Sequence, residues 1–152
     1  MKNLIREGDK AAILQRLQGV RHDSQRRWGK MSAHQMICHL SDSFKAAMGL
    51  KPVSPAGTIL HRTLIKWVAL QVPLRWPEGY KTRPEMDQEI GGTKPVEFAR
   101  DLLELEQLVA RFTERERDFE WQAHPAFGKM SEREWLRWGY LHMDHHLRQF
   151  GA

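Results

Sequence analysis

Two long segments of this sequence start with the same four residues, Gly-Lys-Met-Ser, at positions 29–32 and 128–131. Three residues after each serine stand Gln35 and Glu134, which complete the S-x-x-[Q/E] pattern of a helix capping box. The methionine before each serine suits the hydrophobic staple of a helix start, and the glycine lets the backbone turn into the cap. The repeat therefore predicts two well-defined helix starts, and four residues do not establish an internal duplication.

Apolar periodicity and helix end signals predict five helices and almost no strand. The first helix is short and follows a predicted cap at Asp9, and the fourth begins after Thr93 with Pro95 in its first turn. The predicted segments are residues 10–17, 33–48, 58–72, the segment that begins after Thr93, and 132–150. We therefore expect an all-α fold, a four-helix bundle with a short extra N-terminal helix.

A loop of unusual length joins the third and fourth predicted helices. It carries the large aromatic residues Trp76 and Tyr80. Long loops in compact domains tend to be either functional or disordered. We expect this one, the Trp76 loop, to be able to cover a pocket.

The composition restricts the class of protein. A chain of 152 residues with 28% charged residues is expected to form one domain over residues 1–152. Its start lacks the apolar stretch of a signal peptide, and its most apolar region is interrupted by Lys66 and Pro73, so we expect no membrane span. Cys38 is the only cysteine, which excludes an internal disulfide and is typical of the cytoplasm.

The net charge of +5 indicates an anionic partner of some kind. Most basic residues alternate with acidic ones, which is the usual pattern of a solvated helix face. No helix-turn-helix, zinc-finger or ribonucleoprotein motif is visible, so nucleic-acid binding is not expected. A small anionic ligand would satisfy the same charge.

Histidines follow both capping boxes. His142 and His146 are four residues apart on the predicted last helix, so they project from one face. A helical wheel puts this pair on the side of the tryptophans, while the other side holds Arg133, Arg137, Asp144 and Arg148. On the second helix, His39 lies at the edge of the apolar arc. All three imidazoles should face the interior.

The same wheels predict that other polar groups lie elsewhere. The residues expected on the solvent side of the second helix are His34, Cys38, Ser41 and Lys45. Asp42 lies about 60° from His39 around that helix and is either a proton acceptor or, as we expect, a solvent-facing carboxylate. His145 is similarly offset from the pair and is either exposed or supports it. The remaining histidines have no partner at ligand spacing and are not expected to be ligands: His22, His61 and His124.

Three inward histidines are most easily satisfied by a shared cation, since buried imidazoles need partners. An i, i+4 pair on one helix is a common way to offer two imidazoles to one metal, although such a pair is also often structural. Three histidine ligands leave at least one coordination position for water or substrate, which is typical of a catalytic site. The sequence thus predicts a divalent metal site at His39, His142 and His146.

The segments "WGKMSAHQMICHLSDSF" and "HPAFGKMSEREWLRWGYLHMDHHLRQFG" resemble the DinB/YfiT-like metalloenzyme superfamily, and more closely a branch known only as a domain of unknown function. That branch carries W-G-K-[ML]-[ST]…H-L and ends in H-P-x-F-G…H-x-x-H-H-L-x-Q-F-G. The resemblance implies a four-helix bundle with one metal held by three histidines. The matching positions are His39, His142 and His146. It also implies frequent dimers, and wider relatives are S-transferases and isomerases that use low-molecular-weight thiols.

These observations favour a metal-dependent enzyme with a small-molecule substrate. An anionic thiol is one candidate substrate, and the candidate reactions are thiol transfer and hydrolase-like chemistry. The metal could be zinc, nickel, iron or copper, since imidazole suits all of them. No catalytic residue and no organic cofactor site is predicted. The alternative is a non-catalytic module that binds a metal or a ligand. A homodimer is an expectation from the resemblance alone.

Overall fold

The computed structural model describes all 152 residues as an all-helical chain with no strand. Its five α-helices are α1 (Glu7–Gln18), α2 (Ala33–Ala47), α3 (Lys66–Gln71), α4 (Phe98–Thr113) and α5 (Glu132–Gln149). A π-helical turn, His61–Ile65, leads directly into α3, and a 3-10 turn, Pro84–Met86, lies in the loop before α4. A single isolated β-bridge pairs His124 with Gly128. None of the helices combines the length and the apolar character that a membrane span requires.

Both predicted capping boxes are confirmed. The Ser32 hydroxyl accepts from the Gln35 N–H at the start of α2, and the Ser131 hydroxyl accepts from the Glu134 N–H at the start of α5. In each case the Gln or Glu side chain bonds back to the serine N–H. Gly29 and Gly128 both have a positive φ, 73° and 67°, which explains why glycine precedes each cap. These local bonds fix the starts of α2 and α5 at the predicted residues.

Two other predicted helix starts are wrong. The helix α1 begins at Glu7, and Asp9 lies inside its first turn, where the carboxylate accepts the N–H of Asn3. The helix α4 begins at Phe98, because the longer Glu97 side chain caps it by accepting from the N–H groups of Ala99 and Arg100. Pro95 therefore precedes the helix and is not in its first turn.

The third predicted helix, residues 58–72, is confirmed as one continuous helical segment over residues 59–71, but its hydrogen bonding is irregular. The π-helical turn occupies the middle of this segment, so α3 itself has only six residues. Thr58 and Thr63 side chains bond locally, Thr58 to the His61 ring and Thr63 to the Ile59 carbonyl, and such bonds compete with the regular helix ladder. Of α3, only Leu70 is fully buried, and most other side chains of this segment are exposed.

The core lies between α2, α4 and α5, with α1 packed on the outside of α5. The expected apolar arc of α2 is buried as predicted, and it consists of Ala33, Met36, Ile37, Leu40, Phe44 and Ala47. Gly139 lies in the middle of α5, where a Cβ would come 2.8 Å from Leu4 and 3.1 Å from Phe112. The glycine, which normally weakens a helix interior, allows this close packing.

The side of α2 that was predicted to face solvent is largely buried, which corrects the prediction. His34, Cys38 and Ser41 are all buried, because α4 packs on this side of α2 while α5 packs on the other. Lys45 is half-buried and pairs with Glu104. On α5, Arg137 is also buried, since its guanidinium donates to the backbone carbonyls of Leu70 and Lys2. A wheel of one helix does not show which neighbours cover it.

Candidate metal centre

Three imidazoles meet between α2 and α5. The Nε2 atom of His142 lies 3.2 Å from the Nε2 atom of His39 and 3.2 Å from that of His146. His39 comes from the middle of α2, and the pair His142 and His146 comes from consecutive turns of α5. These three residues form a group whose ligand atoms all lie close enough together to hold one metal ion. We refer to them as the histidine cluster.

Hydrogen bonds at the other ring nitrogens determine the tautomer of two of these residues. The Nδ1 atom of His39 lies 3.0 Å from the carbonyl oxygen of Met86, which can only accept, so His39 carries its proton on Nδ1. The Nδ1 atom of His146 lies 3.0 Å from the Gln149 Oε1 atom. The amide of Gln149 is oriented by its Nε2 group, which donates to the Trp28 carbonyl, so His146 also carries its proton on Nδ1.

Both of these rings therefore point an unprotonated Nε2 lone pair at His142. A neutral His142 has one proton, so its Nε2 atom can donate to one neighbour at most. Its Nδ1 atom is buried without a protein partner. Without a further group, at least one of the two Nε2–Nε2 contacts of 3.2 Å therefore brings two nitrogen lone pairs together, which is repulsive. A cation bound among the three rings would replace this repulsion with attraction.

The spacing also suits a first-row transition metal. Two nitrogens that each lie about 2.0–2.1 Å from one tetrahedral zinc ion are about 3.3–3.4 Å apart. The two measured separations of 3.2 Å are close to this value. Carbonyl oxygens that fix metal-binding histidines through their second nitrogen are a common feature of such sites. The residues present therefore fit a divalent metal.

Burial keeps the cluster uncharged. It lowers the pKa of His39, and it lowers the pKa values of His142 and His146 well below their usual range. Repulsion among the three rings acts in the same direction for His142 and His146. Neutral imidazole is the form that binds a metal.

The Trp76 loop lies over one side of the cluster. The Trp76 ring is 6.2 Å from His142 and 6.3 Å from His145, and its Nε1 group donates to the Ala69 carbonyl. Farther along the same loop, Met86 supplies the carbonyl that orients His39. The loop was expected to be able to cover a pocket, and in the structure it both covers the cluster and positions one of its histidines. Tyr80 is exposed and has no such role.

Asp42 corrects an expectation. It is fully buried, whereas the sequence suggested a carboxylate in solvent. Its oxygens accept from the Thr93 hydroxyl and N–H at 2.6 and 2.8 Å and from the Gln88 amide at 3.2 Å, and Lys51 lies 3.3 Å away. Gln88 and Thr93 come from the end of the long loop that precedes α4, and Lys51 comes from the segment that follows α2. Asp42 therefore fastens the loop to α2.

His145 is buried but is not part of the cluster. Its ring lies 5.1 Å from that of His146 and packs against Trp28 and Trp76. Burial, with a smaller contribution from Arg148, lowers its pKa to about 4. His22, His61 and His124 also lie outside the cluster. His22 is exposed, and His61 bonds to Thr58.

A second group with metal-binding atoms lies between α2 and α4: His34, Cys38 and Asp101. Here the His34 Nε2 atom bonds directly to the Asp101 carboxylate at 2.7 Å, and the Cys38 thiol donates to the same oxygen at 3.8 Å. Burial, together with Asp101, raises the pKa of Cys38 to about 12. The three side chains satisfy one another, unlike the histidine cluster.

Met86 and Gln149 are the two functional positions that sequence reasoning missed. The helical wheel puts Gln149 on the side of His142 and His146, which is a usable signal. Met86 contributes only its backbone carbonyl, and nothing in a single sequence indicates which loop carbonyl will reach a histidine 47 residues away.

Comparison with curated proteins and with solved structures gave no match. One family model does match, and it covers residues 4–152. That range includes both capping boxes, the Trp76 loop and the whole histidine cluster. The chain belongs to this family, which is described as a protein of unknown function (DUF1569).

Proposed function

We propose that the protein is a metal-dependent enzyme whose histidine cluster holds one divalent transition metal. The observation that carries the proposal is the convergence of three Nε2 atoms, two of them fixed as acceptors by bonds to Met86 and Gln149. Three protein ligands would leave at least one position for a substrate or water. Zinc, nickel and iron all suit this ligand set.

A divalent cation bound here would supply Lewis-acid chemistry and lower the pKa of a water or thiol that it binds. The chain's own residues have separate tasks. Met86 and Gln149 orient His39 and His146, and Trp76 limits the access of water from one side. No carboxylate lies among the three rings, and Asp42 is occupied with the loop, so no general base is assigned.

The candidate substrate is a small molecule, with an anionic low-molecular-weight thiol as the specific candidate. The resemblance to DinB/YfiT-like proteins supports S-transfer, an open metal position supports a hydrolase-like reaction, and the net charge of +5 supports an anionic ligand. Membership of that superfamily, its four-helix bundle, a single domain over residues 1–152 and a homodimeric state are parts of the same proposal. A cytoplasmic location is proposed from the single, unpaired Cys38.

The alternative is a non-catalytic module in which the metal or a ligand has a structural or sensing role. The burial of two of the three rings favours it: His39 and His146 are only 5% and 7% exposed, whereas His142 is partly exposed. A catalytic centre must admit a substrate. In an enzyme the metal would therefore bind added solutes, and in a non-catalytic module it would not.

Metal analysis of the purified protein tests the proposal. We expect about one equivalent of metal per chain, lost in His39→Ala and in His142→Ala. Two matched controls are His22→Ala, an exposed histidine, and His34→Ala, from the His34–Cys38–Asp101 group. Both should retain the metal.

The absence of metal from the wild type after reconstitution with zinc, nickel or iron would refute the metal centre. Loss of metal in His34→Ala but not in His39→Ala would move the site to the other group. To separate the two functions, thiols such as glutathione are added to a cobalt-substituted protein. A change in the cobalt absorption spectrum supports an open site, and an unchanged spectrum supports the module.

A further inference from the structure

A cavity of about 410 Å³ lies next to the histidine cluster but does not include it. Its walls are the last turns of α2, the loop that follows, and the first turns of α5. The lining includes Ala46, Lys51, Val53, Trp135 and Trp138, together with His124. The volume is in the range of small-molecule sites, and a mostly apolar wall with a few polar groups is typical of them.

His124 presents one defined hydrogen-bond donor in this cavity. Its Nδ1 atom accepts from the N–H groups of Ala126 and Phe127, at 3.2 and 3.0 Å. A neutral imidazole that accepts at Nδ1 carries its proton on Nε2. The Nε2 atom makes no hydrogen bond to the protein, and it is not fully shielded from solvent. The Nε2–H group is therefore accessible and unpaired, on a ring that lines the cavity.

The ring is held rigidly in this orientation. His124 and Gly128 exchange two backbone hydrogen bonds of 2.8 Å, which close the turn of residues 124–128. The imidazole stacks on Phe127 at 4.5 Å and meets the edge of Trp138 at 5.5 Å. Burial lowers the pKa of His124 to about 3, so the ring stays neutral at ordinary pH. The His124 ring can therefore donate a hydrogen bond to a ligand acceptor in one fixed direction, but it does not act as an acid or base.

We propose that this cavity binds a small carboxylate with an aromatic or branched apolar body, whose oxygen accepts from the His124 Nε2–H group. Trp135, Trp138 and Val53 provide contacts for the apolar body. Lys51 also lines the cavity, where its ammonium group pairs with Asp42. Its Nζ atom is 3.3 Å from Asp42, and that carboxylate already accepts from Thr93 and Gln88.

The cavity and the histidine cluster share two walls. Trp138 lies 4.7 Å from the His142 ring, and Met86 lines the cavity while its carbonyl holds His39. A bound carboxylate would therefore lie beside the cluster. Binding in the cavity needs no metal, so the inference can fail or hold independently of the proposed function.

Benzoate and benzylamine are suitable probes, because they share one ring and carry opposite charges. Titration of each into the metal-loaded protein is followed by the nitrogen and proton resonances of the His124 imidazole. Benzoate should shift the Nε2–H resonance in a saturable manner, and benzylamine should not. The absence of any shift with benzoate, or equal shifts with both probes, would overturn the proposal.

Two variants identify the site. His124→Asn retains an acceptor where Nδ1 lies but removes the Nε2–H donor, and Ala46→Phe fills the cavity from α2 without changing the turn. Each variant should weaken benzoate binding about tenfold or more. His124→Asn removes a hydrogen bond to a charged group, and Ala46→Phe occupies the volume that the ligand needs. The exposed His22→Asn is the control and should bind benzoate as the wild type does.

A His39→Ala variant distinguishes this cavity from the metal centre. Benzoate should still bind to it with the wild-type affinity. If binding disappears in His39→Ala and persists in His124→Asn, the carboxylate binds at the histidine cluster and the proposal is wrong.

Discussion

At the scale of single residues, Gly29 links the first capping box to the histidine cluster. A Cβ at this position would lie 2.6 Å from the Gln149 Nε2 atom, the group that donates to Trp28 and so orients the amide towards His146. The positive φ of 73° adds a backbone reason for glycine. Gly29 therefore supports the site as well as the start of α2.

Gly29→Ala is expected to lower metal affinity about tenfold or more, because loss of a bond that orients a ligand typically has this effect. Gly79→Ala is a matched control, since Gly79 has a similar φ of 76° and nothing within 4 Å of the added Cβ. It should cost about 1–2 kcal/mol of stability and leave affinity unchanged. Competition with a chelating dye measures the affinity. Equal effects of the two variants would contradict the link to Gln149.

His124 gives a pH dependence whose sign follows from its lowered pKa. The ordinary pKa is 6.5, and burial lowers the folded-state value to about 3. Between these values the unfolded chain binds a proton that the folded chain excludes. The free energy of unfolding should therefore fall as the pH decreases through this window, by up to about 1.4 kcal/mol per pH unit from this residue.

Urea unfolding at pH 7, 6 and 5, with a chelator present, measures this effect. In His124→Asn the stability should fall less steeply with decreasing pH than in the wild type, because that proton uptake is absent. The other buried histidines still contribute to both curves. Parallel curves would show that His124 does not titrate abnormally.

At the scale of elements, the long loop between α3 and α4 is fixed by buried polar contacts at the end that precedes α4, while Trp76 packs against the core. Asp42 on α2 accepts from Gln88 and Thr93 and pairs with Lys51. The same loop supplies Met86 to His39 and Trp76 to the surface of the cluster. The geometry of the histidine cluster therefore depends on a loop outside the five α-helices.

Asp42→Ala should reduce the free energy of unfolding by about 3 kcal/mol, since it leaves several buried donors and a lysine without their acceptor. Asp23→Ala is the control, because Asp23 pairs with Arg21 in solvent, and it should change stability by less than about 0.5 kcal/mol. Urea unfolding compares them. A small effect of Asp42→Ala would indicate that the loop is held by other contacts.

At the scale of the whole molecule, the segment around α3 exposes an unusual amount of apolar surface. Seven large apolar side chains there are at least 36% exposed: Ile59, Leu60, Leu64, Ile65, Trp67, Val68 and Leu74. They amount to on the order of 800 Å² if a fully exposed large side chain contributes about 200 Å², which is the contribution of one partner to a standard interface. An exposed apolar surface of this size on one segment commonly marks an interaction site.

We therefore expect the proposed homodimer to form through this segment. Sedimentation should show concentration-dependent association that is lost in a Leu64→Glu, Trp67→Glu double variant. Leu103→Glu on α4 is the control, since Leu103 is 53% exposed but isolated from the segment. A wild-type monomer at all concentrations, or equal loss of association in the control, would contradict this interface.

The sequence by itself determined the starts of α2 and α5, the apolar arc of α2 and the prediction that His39, His142 and His146 lie together. These features depend on bonds within four residues and on the helical period, both of which can be read locally. The burial of His34, Cys38 and Asp42, the π-helical turn in the third helix, and the orientation of His39 by Met86 were decided only by the tertiary structure. These features depend on which distant segment packs against each helix, and a single sequence does not contain that information in a local pattern.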